Sequence, residues 1–274
     1  MNVIYFGNDL FSGCLSALIQ AGHTIQRVYI NEPEDNAHKV IKICQQHNIE
    51  YSSEKPPAAM LIELAQSSTD MFVIAEYLHK IPQTSVKYAF NIHPTLLPLG
   101  RSMTPLAYLL THTDAAGVTL HKVTDEFDAG DIIVQAPIAI TQDDSLNSLT
   151  YKIQALATQL CQQFLIKIED LYNQAQPQNA ALATEWPIPT QAERTLNFQF
   201  KAKQLKQLHR QYGHYGVFFI LGDQCFHTSH IEFLAQTNTL QPGDVVYEDA
   251  SLLMMACADA YLIFEKKYLQ RITD

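Results

Sequence analysis

The chain has 274 residues, 47% of them apolar and 17% charged, with a formal net charge of −10. That balance excludes a disordered or fibrous chain and leaves ample apolar material for a core, best divided between one domain of average size and a smaller companion. Residues 1–193 carry 10 Lys+Arg against 20 Asp+Glu, giving −10, whereas residues 194–274 carry 8 of each, giving zero, so a nucleic-acid partner would meet a repulsive field.

Five cysteines (Cys14, Cys44, Cys161, Cys225 and Cys257) are scattered and form no C-x-x-C pair. That spacing argues against a zinc site or a disulfide framework and for a reducing compartment, each thiol serving as a small buried apolar group. No apolar run approaches the ~20 residues of a membrane span, and no basic segment precedes the first apolar run. A cytoplasmic protein with neither leader nor membrane anchor is expected.

From the N-terminus, apolar runs alternate with helical patterns through the first two thirds of the chain, which is how βαβ units and a parallel sheet are written. Strands are predicted at NVIYFG (2–7), TIQRVYI (24–30), MFVIAEY (71–77), YAFNIH (88–93), GVTLHKV (117–123) and DIIVQAPIAI (131–140). Helices are predicted at 10–22, 36–48 and 57–68, the first closed by Gly22 as a left-handed cap. Residues 145–175 repeat apolar side chains every three to four positions and are predicted to form one long helix across the sheet. The first strand runs into FGNDLFSG, but Gly7 and Gly13 alone do not make the glycine-rich turn that cradles a dinucleotide, and NAD is not expected.

Periodicity then fails, and Pro177, Pro187 and Pro189 mark a linker over 177–193. A helical stretch at 200–212 precedes short strands over 216–269, with turns at Gly222-Asp223 and Pro242-Gly243. Such strands suit a small β-barrel or sandwich. The expected organisation is therefore a domain over 1–176, the linker, and a β-rich domain over 194–274. Lys201, Lys203, Lys206 and Arg210 are read as one solvated helix face.

Two segments concentrate the chemistry. In FNIHPTLLPLGR, residues 90–101, strand alternation puts Asn91 and His93 on one face, and Pro94 ends the strand where a ligand can reach it. In GVTLHKVTDEFDAGDIIVQ, residues 117–135, a strand enters a turn holding Asp125, Glu126, Asp128 and Asp131, and another leaves. Phe127 interrupts the alternation of acids that a calcium loop needs, and no Glu closes it, so no metal is expected. If this turn abuts the strand bearing Asn91 and His93, the three side chains meet in a crevice outside the carboxyl ends of parallel strands. They could then perform acyl transfer, with Asn91 donating to the oxyanion, His93 moving a proton and Asp128 favouring the imidazolium. No Ser or Cys nucleophile accompanies them, so the acceptor supplies its own. His121, His209, His214, His227 and His230 form no recognisable ligand set and are expected to be satisfied surface or core histidines.

NIHPTLLP and GVTLHKVTDEFDAGDII closely resemble the core motifs of the formyltransferases that use 10-formyltetrahydrofolate, the family of methionyl-tRNA formyltransferase and the amino-sugar N-formyltransferases. His93 and Asp128 keep the separation of about 35 residues between the family's N-x-H-P-S-L-L-P segment and the Asp of its D-x-G. The resemblance covers residues 1–170 at fold level, and RTLNF and PGDVV are similar to the family's C-terminal β-domain. It implies an α/β, Rossmann-like, mostly parallel sheet in the N-terminal formyltransferase domain and an OB-like C-terminal barrel. It places Asn91, His93 and Asp128 on the family's catalytic trio, with His93 as the base that deprotonates the attacking amine. Ala75, Glu76 and Tyr77 fall where members hold the pterin of the 10-formyltetrahydrofolate co-substrate through backbone groups, and Thr124, Asp125, Glu126, Phe127 and Asp128 fall on the loop closing that pocket. Leu99, Gly100, Ser102 and Met103 depart from the family's wording after L-L-P, while Arg101 retains a basic group able to reach an acceptor phosphate or to lie free on the surface.

Members that act on tRNA carry a basic loop after the second strand, whereas the corresponding stretch here, YINEPEDNAHKVIK, is short and led by Glu32, Glu34 and Asp35. Acids facing phosphates weaken binding. The resemblance therefore implies a small-molecule amine as acceptor, foremost a nucleotide-linked amino sugar, with initiator tRNA, hydroxyornithine-type amines and a catalytically silent binding module as alternatives. Homodimer formation is left open.

Overall fold

NVIYFG forms strand β1 (Asn2–Gly7), and its burial along nearly the whole length explains why it reads as a continuous apolar run rather than an alternating one. The computed structural model describes residues 1–32 and 34–272. Its contacts divide the chain into one unit of Met1–Ile140 with Thr150–Pro187 and another of Thr141–Leu149 with Ile188–Asp274. Among the described residues no helix is long and apolar enough to cross a membrane.

In the first unit β1 is followed by α1 (Ser12–Gln20), β2 (Thr24–Tyr29), α2 (His38–His47), β3 (Tyr51–Ser52), α3 (Ala58–Ser67), β4 (Met71–Ala75) and β5 (Tyr88–His93). Next come β6 (Gly117–Lys122), β7 (Ile132–Pro137), α4 (Leu146–Ile166) and α5 (Ile168–Asn173). The strands form one sheet in the order β3-β2-β1-β4-β5-β6-β7. The first five are mutually parallel, and β6 and β7 are antiparallel additions. The chain reverses its direction of travel across the sheet between β1 and β4, the place where open α/β sheets expose a crevice. At that point Gly7 pairs with Ala75, and a Cβ on Gly7 would meet the Ala75 carbonyl oxygen at 1.9 Å. Close approach of two strand ends, not a phosphate loop, therefore requires this glycine.

Gly22 closes α1 as expected, at φ +80°, with its N–H donating to the Ile19 carbonyl at 3.0 Å. The long helix expected over 145–175 instead breaks at Lys167, whose φ is −136°. The break lets Tyr172 of α5 return to the start of β5, where its hydroxyl bonds the Ala89 N–H at 3.2 Å and the Ala89 carbonyl at 3.3 Å. No Gly or Pro marks that bend in the sequence.

The second unit contains α6 (Ala202–Tyr212), β8 (Val217–Leu221), β9 (Gln224–Thr228), β10 (Glu232–Leu234), β11 (Val245–Glu248), β12 (Leu252–Ala256), β13 (Tyr261–Glu265) and β14 (Gln270–Ile272). It is sheet-rich, with antiparallel sheets ordered β10-β13-β12-β11 and β14-β9-β8. Phe219 stacks on Phe226 at 5.3 Å and on Phe264 at 4.5 Å, joining the two sheets through one aromatic core. The runs 224–234 and 260–269, each predicted as one strand, break at 229–231 and at Lys266–Tyr268. At both breaks the chain moves from one sheet to the other, a change that apolar alternation does not register.

Candidate active site

Asn91 and His93 reach their positions because β5 alternates as predicted, with Ile92 buried between them. The strand ends at His93, and the following segment folds back: Thr119 of β6, paired with His93, donates from Oγ1 to the Thr95 carbonyl at 2.7 Å and accepts from Leu97 N–H at 3.1 Å. The site therefore stands on the last parallel strand and the first antiparallel one.

That reversal changes how Asp128 arrives. Lys122 at the end of β6 pairs with Phe90, and Val123 N–H donates to the Ala89 carbonyl at 3.0 Å, so the acidic turn leaves the sheet level with the beginning of β5. From there the turn brings Asp128 to Asn91 and His93 near the end of β5, with Asp128 at φ +54°, a left-handed conformation uncommon outside glycine.

The outcome is a convergence on one oxygen. Asp128 Oδ1 lies 3.4 Å from His93 Nδ1 and accepts from Asn91 Nδ2 at 3.3 Å. His93 Nε2 donates to the Gly100 carbonyl at 3.0 Å, which leaves Nδ1 facing Asp128. Burial of His93, 4% exposed, works against its charge. The opposing charge and hydrogen bond of Asp128, together with the Gly100 carbonyl, outweigh it and raise the imidazole pKa above the ordinary value. Burial would push the Asp128 pKa upward, but the His93 charge and the hydrogen bonds of His121 and His93 bring it well below the usual carboxylate range. Each partner thus favours the charged form of the other.

His121, expected to be an ordinary histidine, belongs to this cluster. It is the cross-strand partner of Asn91, lies 2% exposed, and places Nε2 at 3.0 Å from Asn91 Nδ2 and 3.6 Å from Asp128 Oδ1. Its Nδ1 donates to the Lys122 carbonyl at 2.9 Å. The sequence signal was the shared alternation of two neighbouring strands, which becomes usable only once their register is known.

The remaining expected residues lie at the end of β4 and in the acidic turn. β4 ends at Ala75 rather than at Tyr77, because Glu76 turns to φ +67°. The Ala75 carbonyl accepts from Asn8 N–H at 3.3 Å and the Glu76 carbonyl from Asn31 Nδ2 at 2.7 Å. The Glu76 carboxylate accepts from Leu10 N–H at 3.0 Å. Crowding by protein pushes its pKa up to about 7 against that hydrogen bond, with Asp9 adding to the rise. Its solvent-facing side limits what this is worth to stability. The Tyr77 ring joins a core cluster with Phe6, Tyr29 and Phe72. In the turn, Thr124 Oγ1 donates to the Glu126 carbonyl at 2.9 Å, Asp125 and Glu126 face solvent, and Phe127 is 63% exposed.

Arg101 is neither free nor on the surface. Its side chain is 10% exposed, with Nη1 on Glu126 Oε1 at 3.2 Å and Nη2 on Gln178 Oε1 at 2.9 Å. It fastens the segment after β5 to the acidic turn. In the stretch led by Glu32, Glu34 and Asp35, Pro33 lies outside the described residues.

The model of a family described as formyl transferase matches residues 24–165, more than half of the chain. Three solved structures share the fold. An N-formyltransferase from Helicobacter canadensis, in complex with folinic acid and dTDP-3-aminofucose, is 15% identical over 99% of both chains, with a TM-score of 0.65. The sugar 3N-formyl transferase WlaRD, in the presence of dTDP and 5-N-formyl-THF, is 16% identical over 100% of this chain and 98% of that one, with a TM-score of 0.63. HypX from Aquifex aeolicus, in complex with tetrahydrofolic acid, is 15% identical over 98% of this chain and 45% of its own, with a TM-score of 0.68.

Proposed function

The chain belongs to the formyl transferase family, and from that premise we propose that it transfers the formyl group of 10-formyltetrahydrofolate to the primary amine of a nucleotide-linked amino sugar. The observation that carries the reading is the meeting of Asn91, His93 and Asp128 around one carboxylate oxygen, on a fold shared with proteins whose structures hold folates together with dTDP-3-aminofucose or dTDP. Glu32, Glu34 and Asp35 after β2 weigh against a tRNA acceptor. Free thiols at all five cysteines suit a reducing cytoplasm. We read the second unit as the family's small OB-like domain and leave its ligand unassigned.

In this reading the backbone of Ala75, Glu76 and Tyr77 and the Thr124–Asp128 turn, with Asp125, Glu126 and Phe127 between, flank the pterin. The neutral amine attacks the formyl carbon, and Asn91 Nδ2 turns one N–H to the developing oxyanion. His93 is the proton-transfer group of this reading: it takes the proton that the amine loses on attack and returns a proton to N10 as the bond between N10 and the formyl carbon breaks. Protons balance, and tetrahydrofolate departs neutral at N10. Asp128 keeps its charge throughout and holds the ring.

Incubation with 10-formyltetrahydrofolate and a panel of dTDP- and UDP-linked amino sugars, hydroxyornithine and methionyl initiator tRNA tests the reading by release of tetrahydrofolate and by mass of the product. Formylation of a nucleotide-linked amino sugar is expected. Transfer to tRNA or hydroxyornithine alone overturns the acceptor, and no transfer to any acceptor overturns the reaction.

A further inference from the structure

Residues 177–193 were expected to be a linker, and none of the side chains of 176–186 meets the functional groups of Asn91, His93 or Asp128 in the described hydrogen bonds and ion pairs. Residues 176–186 are nevertheless stitched to both segments that carry the site, all within the first unit. Gln176 exchanges backbone hydrogen bonds of 2.7 and 2.9 Å with Ile132, just beyond the acidic turn. Gln178 then spends its amide nitrogen on two carbonyls of that turn, donating to Asp128 at 2.7 Å and to Gly130 at 2.8 Å, while its Oε1 accepts from Arg101. Thr184 takes the other segment. Its Oγ1 accepts from Gly100 N–H at 2.8 Å, its carbonyl accepts from Arg101 N–H at 2.9 Å, and its N–H donates to the Pro98 carbonyl at 3.2 Å.

The peptide groups held in this way matter. The Asp128 carbonyl belongs to a residue in a left-handed conformation, and the Gly100 carbonyl is the one that receives His93 Nε2–H. We propose that Gln178 and Thr184 are positioning residues for the His93–Asp128 pair, Gln178 holding the turn that aims Asp128 and Thr184 holding the carbonyl that faces the far side of the ring. One strap thus sets the partners of both imidazole nitrogens. A misplacement of ~1 Å in such a pair can cost on the order of 10²-fold in turnover.

The electrostatic consequence has a fixed sign. The charged and titratable groups facing His93 are Asp128 on the turn, His121 on β6 with its ring centroid 6.4 Å away, and Arg101 beyond Gly100. If Asp128 or the Gly100 carbonyl retreats, burial and the Arg101 charge remain, and both favour the neutral ring. Loosening the strap must therefore lower the pKa of His93.

The positioning role rests on the formyl-transfer reading for its catalytic arm only, so the test has an arm that needs no substrate. His93 is titrated by NMR in the histidine-labelled full chain, with the resonance assigned from His93→Gln. The variants are Gln178→Met, Gln178→Leu (both uncharged and without the two donors), Thr184→Val and Thr184→Ser. The midpoint is expected to fall in the first three and to stay in Thr184→Ser, with kcat down on the order of 10²-fold and KM for 10-formyltetrahydrofolate changed less than about twofold. An unmoved midpoint in folded Gln178→Leu and Thr184→Val, with melting temperatures lowered, makes the strap merely structural and overturns the proposal. Should Gln178→Met not fold, Thr184→Val decides. Failure of formyl transfer in the wild type leaves the titration arm intact and counts against the function alone.

Discussion

Asn91 and His121 face each other across the β5–β6 pair, with Asn91 Nδ2 and His121 Nε2 3.0 Å apart. His121 Nδ1 donates to the Lys122 carbonyl, which holds the ring with Nε2 toward Asn91 and Asp128. Replacing His121 by Phe roughly keeps the volume and removes that polar contact. Turnover is expected to fall by about 10-fold or more with folate affinity retained, as measured by steady-state kinetics beside calorimetry with 5-formyltetrahydrofolate. Unchanged kcat would show that Asn91 needs no such support.

Asn91 and His93 themselves should separate binding from chemistry. Asn91→Ala removes the oxyanion donor and is expected to lower kcat by about 10²–10³-fold, and His93→Gln removes the transferable proton with a loss of at least ~10²-fold. Both variants should bind 5-formyltetrahydrofolate within a few-fold of wild type. Parallel loss of binding would move these residues from the reaction to the folate pocket.

The His93–Asp128 pair sets a pH window for stability. The pKa of His93 is raised on folding, so its contribution is complete below the unfolded imidazole value of about 6.5 and disappears as pH rises through the folded one. Asp128 is shifted downward, so its contribution exists above the ordinary carboxylate value and is lost only as pH falls through the lowered one. The melting-temperature gap between wild type and His93→Gln is expected to be widest near pH 6 and to narrow towards pH 9. A gap that widens with pH contradicts the ion pair.

Gly100 has φ +70°, and a Cβ there would meet the Trp186 ring at 2.5 Å. Gly100→Ala is expected to destabilise by about 1–3 kcal/mol from strain and collision together. Adding Trp186→Ala removes the collision but not the strained backbone, so thermal melts of the double variant should show less than the sum of the two single losses. Strict additivity would mean that the ring yields freely.

The Arg101 bridge gives a further check. Glu126 is its exposed partner and Gln178 its half-buried one, and exposed ion pairs contribute little in water. Glu126→Gln is expected to change the melting temperature by less than that of Arg101→Met, which leaves Gln178 and Glu126 both without their donor. Equal effects would place the weight of the bridge on the solvent-facing contact.

Much of the fold was legible because its signals are local. The strands at 2–7 and 88–93 fall where the sequence predicts, the first because a strand buried on both faces is apolar along its length, the second because its apolar and polar residues alternate. Gly22 closes α1 because left-handed backbone favours glycine. Boundaries failed where a distant contact decided them: at Glu76, turned by the end of β4; at Lys167, where α5 bends so that Tyr172 meets Ala89; and at 229–231, where the chain changes sheets.

By itself the sequence determined the residue types and spacings of the site, namely Asn91 and His93 on one strand face and Asp128 in an acidic turn, because strand period and turn chemistry are properties of neighbours along the chain. Tertiary structure decided that β6 runs antiparallel, that His121 therefore faces Asn91, that Arg101 is spent on Glu126 and Gln178, and that the proline-rich stretch straps both segments. Those depend on register and on hydrogen bonds between residues remote in sequence, which a polar side chain in an irregular segment does not announce.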